Sequence, residues 1–148
     1  MLASEPTWDD LRRLATTARR VNDFTVAKQY FESAIRLGMS TECPANELAV
    51  LLNSLADVHL RLNELDQALT IAQDGVAYCR ANLAVDNPLY ATAVMFLAST
   101  LELRGELTAA AQVGMEGQDL YAHSFGEDHP EVMIVREYVA GLVDRCKK

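Results

Sequence analysis

The chain has 148 residues, half of them hydrophobic and 23% charged, with a formal net charge of −8 at pH 7. This composition is typical of one folded domain and excludes a disordered chain. The acidic balance argues against nucleic acid or an anionic membrane as partner, because binding phosphate groups requires a basic surface.

The sequence carries no pattern that would direct the chain out of the cytoplasm. The longest apolar run, residues 48–52, is too short to cross a bilayer. Residues 1–6 lack the basic and apolar regions of a secretory signal. Cys43, Cys79 and Cys146 are too widely spaced for a disulfide framework or a zinc site, which indicates reduced thiols. We therefore expect a cytoplasmic protein without membrane insertion.

The first helical hairpin begins with a capping pattern. Thr7 and Asp10 have the spacing of a capping box, in which each side chain accepts a hydrogen bond from the other residue's backbone. Apolar residues then follow at helical spacing, at Trp8, Leu11, Leu14, Ala15 and Ala18. A break at residues 22–23 predicts a turn into a second helix, and Gly38 is expected to end that helix.

Two further hairpins and a single helix follow the first. The spacing predicts helices at about 46–62 and 66–83, then at about 88–103 and 108–124, with polar turns between them. A last helix, at about 131–146, places Val132, Val135, Val139 and Val143 on one face. It is expected to cover the open end of the stack, because terminal elements of a solenoid need a polar outer surface.

Small residues recur in one register through all three hairpins. Ala27, Ala68 and Ala110 are separated by 41 and then 42 residues. Each has a small residue twelve positions before it and another seven positions after it: Ala15 and Ala34, Ala56 and Gly75, and Ala98 and Gly117. Helices approach closely where side chains are small. The recurring spacing therefore predicts three copies of one helical hairpin, as in a helical solenoid.

This register resembles that of the tetratricopeptide repeat (TPR), which has small residues at positions 8, 20 and 27 of its helical hairpin. The long period resembles the kinesin-light-chain type, whose linkers carry the sequence Gly-x-Asp-His-Pro, and residues 126–130 match it fully. Residues 84–88 match it in part. Asp128 or His129 could cap the last helix, with Pro130 in its first turn.

The resemblance implies an all-α, right-handed superhelix of three helical hairpins and a C-terminal capping helix. We expect one domain over residues 1–148, with repeats at 8–41, 46–83 and 88–125 and the capping helix at 131–146.

No motif in the sequence indicates catalysis, and we expect no enzyme activity, cofactor or metal. The serines lie outside any nucleophile elbow, and no phosphate-binding glycine loop is present. His59 occupies a position where TPR helices pack an aromatic ring, which favours a buried core histidine. His123 and His129 flank one linker, where a metal site is conceivable but helix capping is favoured.

The resemblance implies a concave groove lined by the first helix of each hairpin, and a protein or peptide partner. Met95 and Phe96 could anchor an apolar side chain, or could simply pack against the neighbouring helix. An acidic part of the peptide is expected near Arg12 and Arg19, and the Asn53 side chain could form a hydrogen bond with the peptide backbone. The expected groove residues are Arg12, Thr16, Arg19, Asn53, Asp57, Thr92, Met95, Ser99 and Tyr138.

Two other functions fit the same pattern. The repeats could assemble end to end into a structural scaffold, or the chain could be a regulatory or secretion-chaperone subunit. The polar face of the last helix predicts a monomer or a weak dimer, since it would block further stacking.

Overall fold

The computed structural model describes residues 3–148, which form seven helices connected by short turns. Consecutive helices pack against each other, and α3 also packs against α5. The predicted hairpins and the final helix are confirmed. The helices are α1 Trp8–Arg20, α2 Phe24–Ser40, α3 Ala45–Arg61, α4 Leu65–Asn82, α5 Pro88–Leu103, α6 Leu107–Phe125 and α7 Pro130–Cys146.

Side-chain caps begin α1, α5 and α7, and those of α1 and α7 were predicted. Thr7 and Asp10 form the complete capping box before α1. The Asn87 side chain accepts a hydrogen bond from the backbone amide of Leu89 at 3.0 Å. Before α7 the cap is His129, whose Nδ1 accepts from the backbone of Glu131. Satisfying these otherwise unbonded amides fixes where each helix begins.

One turn geometry closes all three hairpins. Asn22, Asn63 and Gly105 have φ values of 62°, 56° and 83°, in the left-handed region. The residue after each of them donates its backbone amide to a carbonyl five residues earlier, near the end of α1, α3 or α5. Asparagine and glycine suit this conformation best, which explains their recurrence at these positions.

The small residues of the repeated register lie in the helix contacts. The seven alanines of the set are at most 1% exposed, and the two glycines are also buried. The predicted register is therefore confirmed. At Gly75 and Gly117 the nearest side chains belong to the first helix of the same hairpin, so these two positions lie where α4 meets α3 and where α6 meets α5.

Two local predictions were wrong. Gly38 does not end α2, which continues to Ser40; Gly38 is buried, and a Cβ there would lie 3.2 Å from the Cβ of Cys43. On α7, Val143 is only half-buried and Leu142 takes its place in the core, at 1% exposure. Leu142 continues the face of Val132, Val135 and Val139 with alternating steps of three and four residues, which follows the helical period.

The core consists of three apolar clusters that succeed one another along the stack. The first joins α1, α2, α3 and α4, the second lies mainly between α3, α4, α5 and α6, and the third joins α5, α6 and α7. At the last contact a Cβ on Gly114 would lie 3.2 Å from Val139. The absence of a side chain at Gly114 therefore allows α7 to pack closely on α6.

Candidate functional site

The first helices of the hairpins and α7 are joined by contacts along the surface where the groove is expected. The carboxylate of Asp57 on α3 lies 3.9 Å from the guanidinium of Arg19 on α1. At the other end, the hydroxyl of Tyr138 on α7 donates to Glu102 on α5 at 2.8 Å. These contacts connect each first helix to the next one, α1 to α3 and α5 to α7.

Two adjoining cavities lie in the middle of this surface. Thr92 and Phe96 on α5 line both of them and form the boundary between them. The first cavity has a volume of about 160 Å³ and the second about 170 Å³. The first is lined by Arg19, Val50, Asn53, Ser54, Asp57, Leu89, Thr92 and Phe96, and the second by Thr92, Met95, Phe96, Ser99 and Tyr121.

Six of the nine expected groove residues line these cavities. They are Arg19, Asn53, Asp57, Thr92, Met95 and Ser99. The other three, Arg12, Thr16 and Tyr138, line neither cavity. The structure thus brings the middle of the predicted groove together and leaves its two ends outside the cavities.

Asn53 has a structural role beside its place in the first cavity. Its side chain is buried, at 7% exposure, and its Nδ2 donates to the backbone carbonyl of Leu89 at 3.3 Å. This bond joins the middle of α3 to the start of α5. One of the two N–H donors of the Asn53 amide is therefore used within the fold, and the second donor and the oxygen are left to meet a ligand.

The two arginines of α1 differ in their surroundings. Arg12 contacts Asp9 one turn earlier at 2.6 Å, and this pairing is the largest cause of the lowered pKa of Asp9. Arg19 lies over the ring of Phe31, 5.8 Å from its centroid, and reaches Asp57 only at 3.9 Å. Because a planar guanidinium has five donors, Arg19 keeps more capacity for an acidic ligand than Arg12 does.

Met95 and Phe96 form the apolar centre of the groove. Both are half-buried. A Cβ at Gly117 would overlap the sulfur of Met95, so the Met95 side chain lies against α6 as well as lining the second cavity. The two interpretations of Met95, packing residue and groove residue, are therefore compatible.

Tyr138 and Glu102 form a closed polar cluster at the last part of the groove. Arg145 also contacts the Glu102 carboxylate. Burial is the main cause that raises the pKa of Tyr138 to about 12, and the hydrogen bond to Glu102 adds to it. Tyr138 thus stays protonated at neutral pH and donates to Glu102, rather than standing free as an anchor.

Of the cavity residues absent from the expected set, Val50, Ser54 and Phe96 stand at groove positions of the repeat, whereas Leu89 and Tyr121 do not. Leu89 lies in the first turn of α5, before the positions that usually face the groove. Tyr121 belongs to α6, and its hydroxyl lies 3.3 Å from that of Thr92. Positions counted along the first helices could not identify Tyr121, because it reaches the groove from the second helix of a hairpin.

Two titratable groups away from the groove, His59 and Cys79, are buried in the fold. His59 is 4% exposed and its Nδ1 lies 3.3 Å from Glu64, so it is the buried core histidine that was predicted. Burial raises the pKa of the Cys79 thiol to about 11.

Within residues 3–148 no group of three His, Cys, Asp or Glu side chains is arranged to hold a metal. None of the described helices has the length and apolar character that a membrane span requires.

Comparisons with known proteins agree with this architecture. A tetratricopeptide repeat family model matches residues 12–82 and again residues 53–124. No curated protein matches the sequence significantly.

Among solved structures, the chain is similar to the nearly identical TPR-like repeats of a kinesin-light-chain-like protein from Podospora anserina, with a TM-score of 0.77 and 15% identity. A variant of that protein matches with the same values. The match covers 90% of this chain and 64% of that one. Because only 15% of the residues are identical, this likeness shows the fold alone. Repeats of this family generally mediate protein–protein interaction and are typically not enzymatic. With the family model covering most of its length, the chain belongs to the tetratricopeptide repeat family.

Proposed function

We propose that the chain is a protein-interaction module that binds a peptide segment along its concave surface. The observation that carries this proposal is the pair of adjoining cavities that share Thr92 and Phe96. Two neighbouring recesses separated by the side chains of Thr92 and Phe96 suit successive side chains of an extended or helical segment, and anchors buried in such recesses supply most binding energy.

The lining of the cavities defines the chemistry of the peptide. Phe96, Met95 and Leu89 offer apolar contacts, so the central side chain of the peptide is apolar. Arg19 lines the first cavity, and its guanidinium supports an acidic side chain of the peptide towards α1. Asp57, beside Arg19, disfavours a second acidic group there and limits the expected charge contribution to a single pair.

A random peptide library selected against the wild-type protein tests the proposal. We expect enriched peptides that combine an apolar residue with an acidic one, and we expect Thr92→Arg to abolish their binding because the new side chain fills both cavities. Met95→Ala should cost about 1–2 kcal/mol through lost burial. Arg19→Glu should weaken binding most at low salt. Isothermal titration calorimetry with the selected peptides measures each effect.

Gln73→Arg provides the matched control, since Gln73 is exposed on α4 and lines neither cavity. It should bind the peptides as the wild type does. Circular dichroism establishes that the variants remain folded. Peptides that bind the folded Thr92→Arg variant unchanged, but lose affinity for Gln73→Arg, would place the binding surface elsewhere.

A further inference from the structure

A recess outside the groove lies between α6 and α7. Its volume is about 550 Å³, and no described helix covers it. Met115 and Gln118 of α6 form one side. The other side is a stripe along α7 made by Arg136, Val139, Ala140, Val143, Asp144 and Lys147.

In the preceding hairpin, the position that corresponds to this recess is occupied by the second helix, α6. Ala98 on α5 is 0% exposed because α6 packs on it, and the residue 42 positions later is Ala140. Ala140 is exposed on α7. Val143 corresponds in the same way to Leu101, which is 7% exposed under α6. The outer face of α7 thus repeats the pattern that receives a second helix in the preceding hairpin.

The charges on this face are arranged symmetrically about Ala140. Arg136 lies four residues before Ala140 and Asp144 four residues after it, so all three share one helix face. Arg136 stands where the preceding repeat has the fully buried Val94, and a helix seated in the recess is therefore favoured if it brings a carboxylate beside this guanidinium. An antiparallel copy of α7 centred on Ala140 does so twice, because Asp144 of each copy faces Arg136 of the other.

Arg136 has the capacity for this additional partner. It already donates to the Glu127 carbonyl at 3.1 Å and contacts the Glu127 carboxylate. A guanidinium carries five N–H donors, so a second carboxylate can be accommodated. Asp144 lies 3.6 Å from the exposed Lys148 and can exchange that contact for one with a partner.

We propose that two copies of the chain associate through this recess, with their α7 helices antiparallel about a two-fold axis at Ala140. The same surface then serves both copies, as a two-fold interface requires. Ala140 permits close approach of the two helices, the half-buried Val143 supplies apolar contact, and two Arg136–Asp144 pairs set the direction. A single helix from each copy forms a small interface, which makes the dimer weak and dependent on concentration.

Sedimentation velocity of the full chain at low salt, over a range of protein concentrations, tests the interface. The wild type should show a reversible monomer–dimer equilibrium. Arg136→Asp and Asp144→Arg should each weaken the dimer at least about tenfold, because each places like charges opposite one another. The double variant should recover the wild-type dissociation constant. Arg20→Asp, a charge reversal at an exposed position of α1, should leave the equilibrium unchanged.

Ala140→Arg provides a second, independent test. Ala140 is exposed in the monomer, so this variant should keep the wild-type circular dichroism and thermal midpoint while losing the dimer. A wild type that remains monomeric at every concentration overturns the proposal. So does a dimer that survives Ala140→Arg, or a double charge variant that fails to recover association while remaining folded.

Discussion

Gly75 and Gly117 occupy the same register position in successive hairpins but have different neighbours. A Cβ at Gly117 would overlap the sulfur of Met95 and would lie 3.3 Å from Val94. At Gly75 the nearest atoms, on Asn53 and Leu52, would be 3.8 Å from the new Cβ. Space beside the helix therefore decides whether an alanine can be accepted at each position.

We expect Gly117→Ala to destabilise the fold by about 1 kcal/mol, since Met95 and Val94 must shift to make room. Gly75→Ala should stabilise it by roughly 0.5–1 kcal/mol, because alanine is the better helix former and meets no obstacle. Urea unfolding followed by circular dichroism measures both. Equal effects in the two variants would mean that Met95 does not lie against Gly117.

At the scale of the element, the packing of α7 on α6 depends on Leu142, which takes the buried position that the sequence pattern assigned to Val143. Leu142 is 1% exposed, and its side chain lies 3.6 Å from the Cβ position of Gly114. Leu142→Ala should therefore cost about 2–4 kcal/mol, through lost burial and the cavity that remains. Ile134 on the same helix is 60% exposed, and Ile134→Ala should change stability by less than about 0.5 kcal/mol. Thermal unfolding compares them, and similar losses from both would contradict the described rotation of α7.

The sequence allowed the helices and their close contacts to be predicted because both follow from local patterns. Apolar spacing, capping residues and left-handed turn positions such as Asn63 are determined within a few neighbouring residues. The end of α2 was not predictable in this way, because Gly38 lies inside the helix, where its missing side chain leaves room for Cys43. Leu142, by contrast, was predictable from the local pattern, because it follows Val132, Val135 and Val139 at the helical period, whereas Val143 departs from that period.

The candidate site was predictable only where it follows the first-helix positions. Counting along α3 and α5 identified Asp57, Thr92 and Ser99 as groove residues, and all three line the cavities. Tyr121 was missed because its place depends on the packing of α6 on α5. The internal pairing of Arg12 with Asp9 depends on side-chain conformations, which periodicity does not specify.

At the scale of the whole molecule, burial is unevenly distributed along the stack. Only Ala15 and Ala18 are buried on α1, whereas ten residues are buried on α3, which is covered by helices on both sides. Leu14, an apolar residue of the predicted α1 face, remains 47% exposed, although its repeat counterpart Leu55 is 3% exposed. In a solenoid each hairpin contacts only its neighbours, so these differences produce local differences in stability.

We therefore expect native-state hydrogen exchange to divide the chain into units of different stability. Amides of α1 should exchange through a local opening of lower free energy than amides of α3 and α5. Leu11→Ala, in the first apolar cluster, should reduce protection in α1 and α2 while leaving α5 and α6 unchanged. Leu101→Ala, in the third cluster, should give the reverse pattern as a matched control. An equal fall in protection at every amide would instead show one fully cooperative unit, because the free energy lost at one end would then be lost everywhere.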